Sequence, residues 1–174
     1  VVPISLAARV LFHLVTTLAP HHNIFNRPNF IGSIDNNRAD QAVSFANKLT
    51  EVDLDTENVD SLGITKKIWE KTILNSALSA ICAVGRFTMS EAMKNTHNVQ
   101  LVEHILDEAI TVAKAEKIYL SDNFFDHCMG YLKKAGNHFP SLAGDLINNC
   151  QTEIDFFNGK IVDYGKKHSI GTPI

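Results

Sequence analysis

The sequence predicts a mainly α protein, a multi-helix domain over residues 59–174 preceded by a short, incomplete α/β segment over residues 1–58. Two observations carry this. From about residue 59 onward apolar residues recur at helical spacing almost without interruption. Before that point a single short apolar run, "NFIGS", reads as a strand, next to a helix-compatible stretch and an acidic tract with little to bury. No internal repeat and no low-complexity tract interrupts the chain.

In order along the chain, Ile4, Ala7, Leu11, Leu14 and Leu18 share one helical face, reinforced by Val10 and Val15. The loop "APHHNIFNRPN" is rich in breakers, and "NFIGS" then gives a strand ending at Gly32. The segment "RADQAVSFANKLTEV" predicts a helix with Ala39, Ala42, Val43, Ala46 and Leu49 on one side. "DLDTENVDS" reads as a linker or exposed turn. Ile64 to Met89 supports one long helix, or two with a break near Gly85. Val99, Val102, Ile105, Leu106, Ala109, Val112 and Ala113 make an amphipathic helix. Ser121 and Asp122 are candidate N-caps for the helix carrying Phe124, Phe125, Cys128 and Leu132. After the loop "AGNHFPS", Pro140-Ser141 leads into a helix with Leu142, Leu146 and Ile147. Thr152 is a candidate cap for a last helix carrying Ile154, Phe157, Ile161 and Val162, with Gly165 weakening its end and "SIGTP" closing it.

With 174 residues the chain suffices for one domain and part of a second. Hydrophobic content of 45% and charged content of 20% are those of a globular protein in water. The net charge of −3, without a basic stripe, argues against a nucleic-acid partner. The first segment is interrupted by Arg9 and His13, which makes it too short and polar for a membrane span. With no initial methionine, the expectation is a chain that starts partway through a longer protein. Three widely spaced cysteines, Cys82, Cys128 and Cys150, predict reduced thiols in a cytoplasmic setting. The pair His104 and Glu108 has ligand-compatible spacing but lacks an HExxH context, and His21-His22 sits in a loop, so no metal site is assigned.

One stretch breaks the apolar pattern. In "WEKTILNSALSA" (69–80), Lys71, Asn75 and Ser79 recur every four residues on an otherwise apolar helix. Such positions share one side, drifting about 40° per step. The stripe is either a solvated face or a row aimed at a ligand. Later, "FPSLAGDLINNCQTEIDFFNG" interleaves Ser141, Asp145, Glu153, Asp155 and Asn158 with apolar residues. Alone, this reads as two short amphipathic helices with polar outer faces.

Together the two stretches, with "GKIVDYGKKHSIGTP" following, resemble the C-terminal domain of the 2-dehydropantoate 2-reductases, the ketopantoate reductases. That family carries W-x-K-x-x-x-N, then S-M-x-x-D, T-E-I-D-x-[IL]-N-G and a late T-P. The resemblance runs from about Gly63 to Pro173, and upstream "FIGS" is similar, more loosely, to the family's interdomain segment. It implies the helical C-terminal fold of the ketopantoate reductase / 6-phosphogluconate dehydrogenase type. It also implies an oxidoreductase that reduces 2-dehydropantoate to (R)-pantoate with NADPH, in pantothenate biosynthesis. By the same resemblance Lys71 is the catalytic general acid, Asn75 and Ser141 bind substrate, and Glu153 contacts the cofactor. Ser79 stands where the family commonly has a second substrate-binding asparagine. Asp145, Asp155, Asn158 and Gly159 fit the motif as structural residues, and Leu142 replaces the usual methionine. A homodimer is compatible with the resemblance, on which the sequence itself is neutral.

The family's N-terminal domain is a glycine-rich dinucleotide fold, and no GxGxxG occurs in these residues. By themselves they are therefore expected to bind NADPH poorly and to be inactive. Two other functions stay open: a non-catalytic helical module, serving oligomerisation or keeping a relic ligand site, and a related reductase acting on a different 2-oxo acid.

Overall fold

The computed structural model describes residues 28–174. The helix expected over Ile4–Leu18 and the histidine pair His21-His22 lie outside the described residues. Two compact units are present, one up to Lys67 and one from Ile68 to Ile174.

In the first unit, β1 (Asn29–Ile31) and β2 (Thr56–Asn58) pair in parallel, Asn29 opposite Thr56 and Ile31 opposite Asn58. They are joined through α1 (Ala39–Thr50), giving a βαβ unit. The acidic tract expected to be a linker thus contains a strand. Its residues Thr56, Glu57 and Asn58 are polar and largely exposed. The backbone makes the pairing, so no alternation of side chains announces it. Close packing fixes Gly32: a Cβ there would lie 2.6 Å from the Val59 carbonyl oxygen and 2.7 Å from the Ile64 Cβ. On α1, Ala46 is buried as expected, whereas Val43 stays 40% exposed.

α2 (Ser61–Gly85) starts in this unit and continues into the second. There it is apolar on most of its circumference, the pattern of a helix with neighbours on several sides. Ile73, Ala77, Leu78 and Cys82 are buried. They share one core with Val102, Leu106, Ala109 and Val112 of α4 (Thr96–Ala115) and with Phe124, Cys128 and Leu132 of α5 (Phe124–Lys133). Leu142 and Ala143 of α6 (Ser141–Ile147) and Ile161 of α7 (Asn158–Lys167) complete it.

Capping differs from expectation at two helices. The first turn of α5 is closed by the Ser121 backbone, which accepts from the Phe124 N–H at 2.9 Å, and neither Ser121 nor Asp122 caps it through a side chain. Thr152 precedes a single 3-10 turn, Ile154–Phe156, so α7 starts later and without a side-chain cap. Conversely, Thr88 and Glu91 form a capping box on α3 (Met89–Lys94), each taking the other's backbone N–H. The remaining N–H groups of that turn find the loop before α6: Met89 donates to His138 and Ser90 to Gly136. This anchors the chain just ahead of Ser141.

Five helices end alike. Asp53, Arg86, Lys117, Asn149 and Ser169 all have positive φ, and the next residue donates back across the last turn, as from Phe87 to Cys82 and from Ile118 to Ala113. These are Schellman motifs with a non-glycine at the left-handed position. At the end of α7 the turn brings Thr172 onto Gly165, where a Cβ would meet the Thr172 methyl at 2.9 Å. Gly165 is thus a buried seat for the "T-P" element.

Candidate functional site

The two polar stretches singled out in the sequence meet between α2 and α7. The Trp69 and Tyr164 rings pack at 5.1 Å between centroids. Further along, the Asn158 Nδ2 donates to the Ser76 carbonyl at 3.1 Å. Advancing along α2 from 69 to 76 thus corresponds to retreating along α7 from 164 to 158, and the helices run antiparallel. Seven residues on α2 and six on α7 span similar lengths, about 10 Å at 1.5 Å per residue.

Lys71 and Asn75 lie on this stretch of α2, both half-buried, and Ser79 is 9% exposed one turn on. Burial lowers the Lys71 ammonium below its ordinary 10.5, because removing water disfavours the charged form. Glu153, just before the 3-10 turn that leads into α7, acts in the opposite sense through its negative charge and raises it. No ion pair joins the two among the described residues, so Lys71 senses the carboxylate without being neutralised by it. Ser141 is the exposed first residue of α6, and among the described residues no hydrogen bond joins its side chain to the α2 row.

Among the described residues, no hydrogen bond or ion pair engages the side chains of Lys71, Asn75, Ser79, Ser141 or Glu153. Neighbouring polar groups are used internally: the Ser76 hydroxyl donates to the Ile73 carbonyl at 2.9 Å, and Thr88 serves the α3 cap. The α2 row thus divides into side chains that hold the fold and side chains with donors and acceptors to spare.

Other candidates fall away on geometry. All three cysteines are free, and burial pushes Cys82 and Cys128 up to about 11, so those thiols stay protonated and unreactive. Cys150 is exposed. Glu108 accepts the Ile174 N–H at 3.2 Å, and no group of His, Cys, Asp and Glu among the described residues is gathered to hold a metal. No helix among them is long and apolar enough to cross a membrane. The sequence offered Asn158 only as a structural residue of the motif. It stands at the start of α7, five residues after Glu153, and its side chain reaches the α2 backbone at Ser76.

Residues 63–174 match the family model "Ketopantoate reductase PanE/ApbA C terminal". A 2-dehydropantoate 2-reductase of Streptococcus pyogenes serotype M18 is 30% identical over 143 residues, 81% of this chain and 46% of the relative. The chain thus spans about half the length of such relatives. Among solved structures, D-mandelate dehydrogenase with NADH and anilino(oxo)acetate superposes with a TM-score of 0.73 at 31% identity, over 83% of this chain and 60% of the other. A dimeric ketopantoate reductase from Staphylococcus aureus gives 0.67 at 23% identity, over 83% and 49%, and shares the fold. The helical fold expected from the sequence is therefore the one observed, and with a family match extending over well more than half its residues the chain belongs to the ketopantoate reductase family, whose C-terminal domain it contains.

Proposed function

We propose that the chain is the substrate-binding, lysine-bearing part of a nicotinamide-dependent reductase that converts 2-dehydropantoate to (R)-pantoate, on the route to pantothenate. The observation that carries this reading is Lys71: a half-buried ammonium with no bonded partner, in a row of unpaired polar groups, with a carboxylate in electrostatic range. Reduction of a ketone adds a hydride to carbon and a proton to oxygen. NADPH supplies the hydride when bound. Lys71 polarises the carbonyl and protonates the alkoxide that forms, and its positive charge stabilises the developing oxyanion.

A general acid works best with a pKa near the working pH. Burial lowers Lys71 from its ordinary value, and the Glu153 carboxylate opposes that by favouring the charged form. Asn75, four residues on and about 6 Å along the helix axis, orients the substrate. Ser79 extends the row with a shorter reach, and Ser141 is the proposed contact from α6. Glu153 is the residue of this chain proposed to touch the cofactor. The turn after β1 reads Gly32-Ser33-Ile34-Asp35, and Gly32 is packed against Val59 and Ile64. These residues do not form a phosphate-cradling loop. We assign that task to a dinucleotide-binding domain outside them, in a cytoplasmic homodimer.

A second substrate is favoured by one finding: the dehydrogenase at 31% identity is a D-mandelate enzyme. With serine at position 79, an aryl 2-oxo acid is the alternative, and a substrate panel ranked by kcat/KM decides between them. The central reading is tested on the protein from its complete reading frame. Lys71→Ala should lower kcat/KM for NADPH-dependent 2-oxo-acid reduction by about 10²- to 10⁴-fold. An unchanged rate overturns it.

A further inference from the structure

Asn158 stands out for what it does with its amide. Its Nδ2 reaches across 82 residues of sequence to the Ser76 carbonyl on α2, and its Oδ1 is buried with no partner. An unpaired buried acceptor is costly, so a side chain kept there is kept for its donor. The orientation is also dictated. With the amide reversed, Oδ1 would face the Ser76 carbonyl oxygen and repel it. The bond falls on α2 between the lysine turn and Ser79, next to Asn75. On its other side Asn158 continues without a break into the segment bearing Glu153. There the Glu153 carbonyl accepts from the Phe156 N–H at 2.9 Å, the Ile154 carbonyl accepts from the Phe157 N–H, and Ile154 and Phe157 pack on the core.

We propose that Asn158 is a positioning residue: its hydrogen bond to the Ser76 carbonyl clamps the Glu153 segment to α2 and so fixes the carboxylate beside Lys71. This rests on the reading of Lys71 as the proton donor and adds the device that sets its environment. Glu153 is the charged group that raises Lys71, and Glu70, the residue before Lys71 on α2, raises the Cys128 thiol of α5.

The test uses the complete protein and two readouts, the alkaline limb of kcat/KM against pH and an NMR titration of the isotope-labelled Lys71 ammonium. Glu153→Gln removes the charge that raises Lys71, so both readouts should move to lower pH, by about one unit for a nearby opposite charge. Asn158→Ala should move them the same way, by about half of that displacement or more. Added to Glu153→Gln it should move them no further, since the two changes remove one effect. A role confined to general stability would lower the melting temperature and leave the limb where it was. A limb that stays, that moves to higher pH, or that shifts additively in the double variant overturns the proposal. If circular dichroism shows Asn158→Ala unfolded, Asn158→Ser, too short to span the gap, is read in the same way. Full activity in Lys71→Ala overturns the functional reading and this inference together. An inactive Lys71→Ala with a shifted Glu153→Gln and an unshifted Asn158→Ala overturns this inference alone.

Discussion

At the scale of the residue, two opposed influences meet on one ammonium: burial, which lowers Lys71, and Glu153, which raises it. If Lys71 donates the proton, activity in the reductive direction is present while it is protonated and is lost as pH rises through its pKa. Glu153→Gln should therefore narrow the active range from its alkaline side, leaving rates near pH 6 much less affected, as a pH profile of kcat/KM would show. Lys71 and Asn75 stood out in the sequence because polar residues repeating every fourth position contradict the apolar pattern around them, while the roles proposed for them come from the family motif. Ser141 was legible only through its motif, and the structure leaves it exposed at the start of α6. The electrostatic meeting of Lys71 with Glu153 was not legible, since nothing local in either stretch fixes the distance between residues so far apart in the chain.

At the scale of the element, helix periodicity located α1, α2, α4 and α6, although only α2 and α4 bury most of the face that predicted them: Val43 of α1 and Leu146 and Ile147 of α6 stay exposed. It missed β2, whose polar side chains carry no alternation, and it misplaced two caps, at α5 where the Ser121 backbone closes the first turn and at α7 where a 3-10 turn intervenes. The capping box at Thr88 and Glu91 follows the T-x-x-E spacing and was readable. Helix ends offer a direct test. Arg86 and Lys117 are exposed and held in the left-handed region, which costs a side-chain-bearing residue roughly 1 kcal/mol. Lys117→Gly should therefore stabilise the protein, by up to about 1 kcal/mol after the greater chain entropy of unfolded glycine is set against the relief. Urea unfolding with an unchanged m-value would show it.

At the scale of the whole molecule, the second unit is tied together at both ends of α7. At its C-terminal end Lys167 donates to Glu116 at 2.6 Å and His168 contacts the same carboxylate, joining α7 to the end of α4. Hydrogen bonds from Lys167 and His168 hold Glu116 below its ordinary 4.5. A carboxylate depressed in the folded state contributes stability above its unfolded pKa and loses it as pH falls through the folded value. Glu116→Gln should therefore lower the melting temperature at neutral pH and flatten its decline below about pH 4.5. The all-helical class of this unit was legible from residue 59 onward, whereas the antiparallel register of α2 and α7 was not, because it depends on contacts such as Trp69 with Tyr164 that only the tertiary fold brings together. That register also has a temporal meaning. The clasp from Asn158 to Ser76 closes a loop of 82 residues, a slow, entropy-limited event compared with forming either helix. The burial that lowers Lys71 exists only once the fold has formed, so a titration of Lys71 would report, from inside the proposed site, whether the chain has folded.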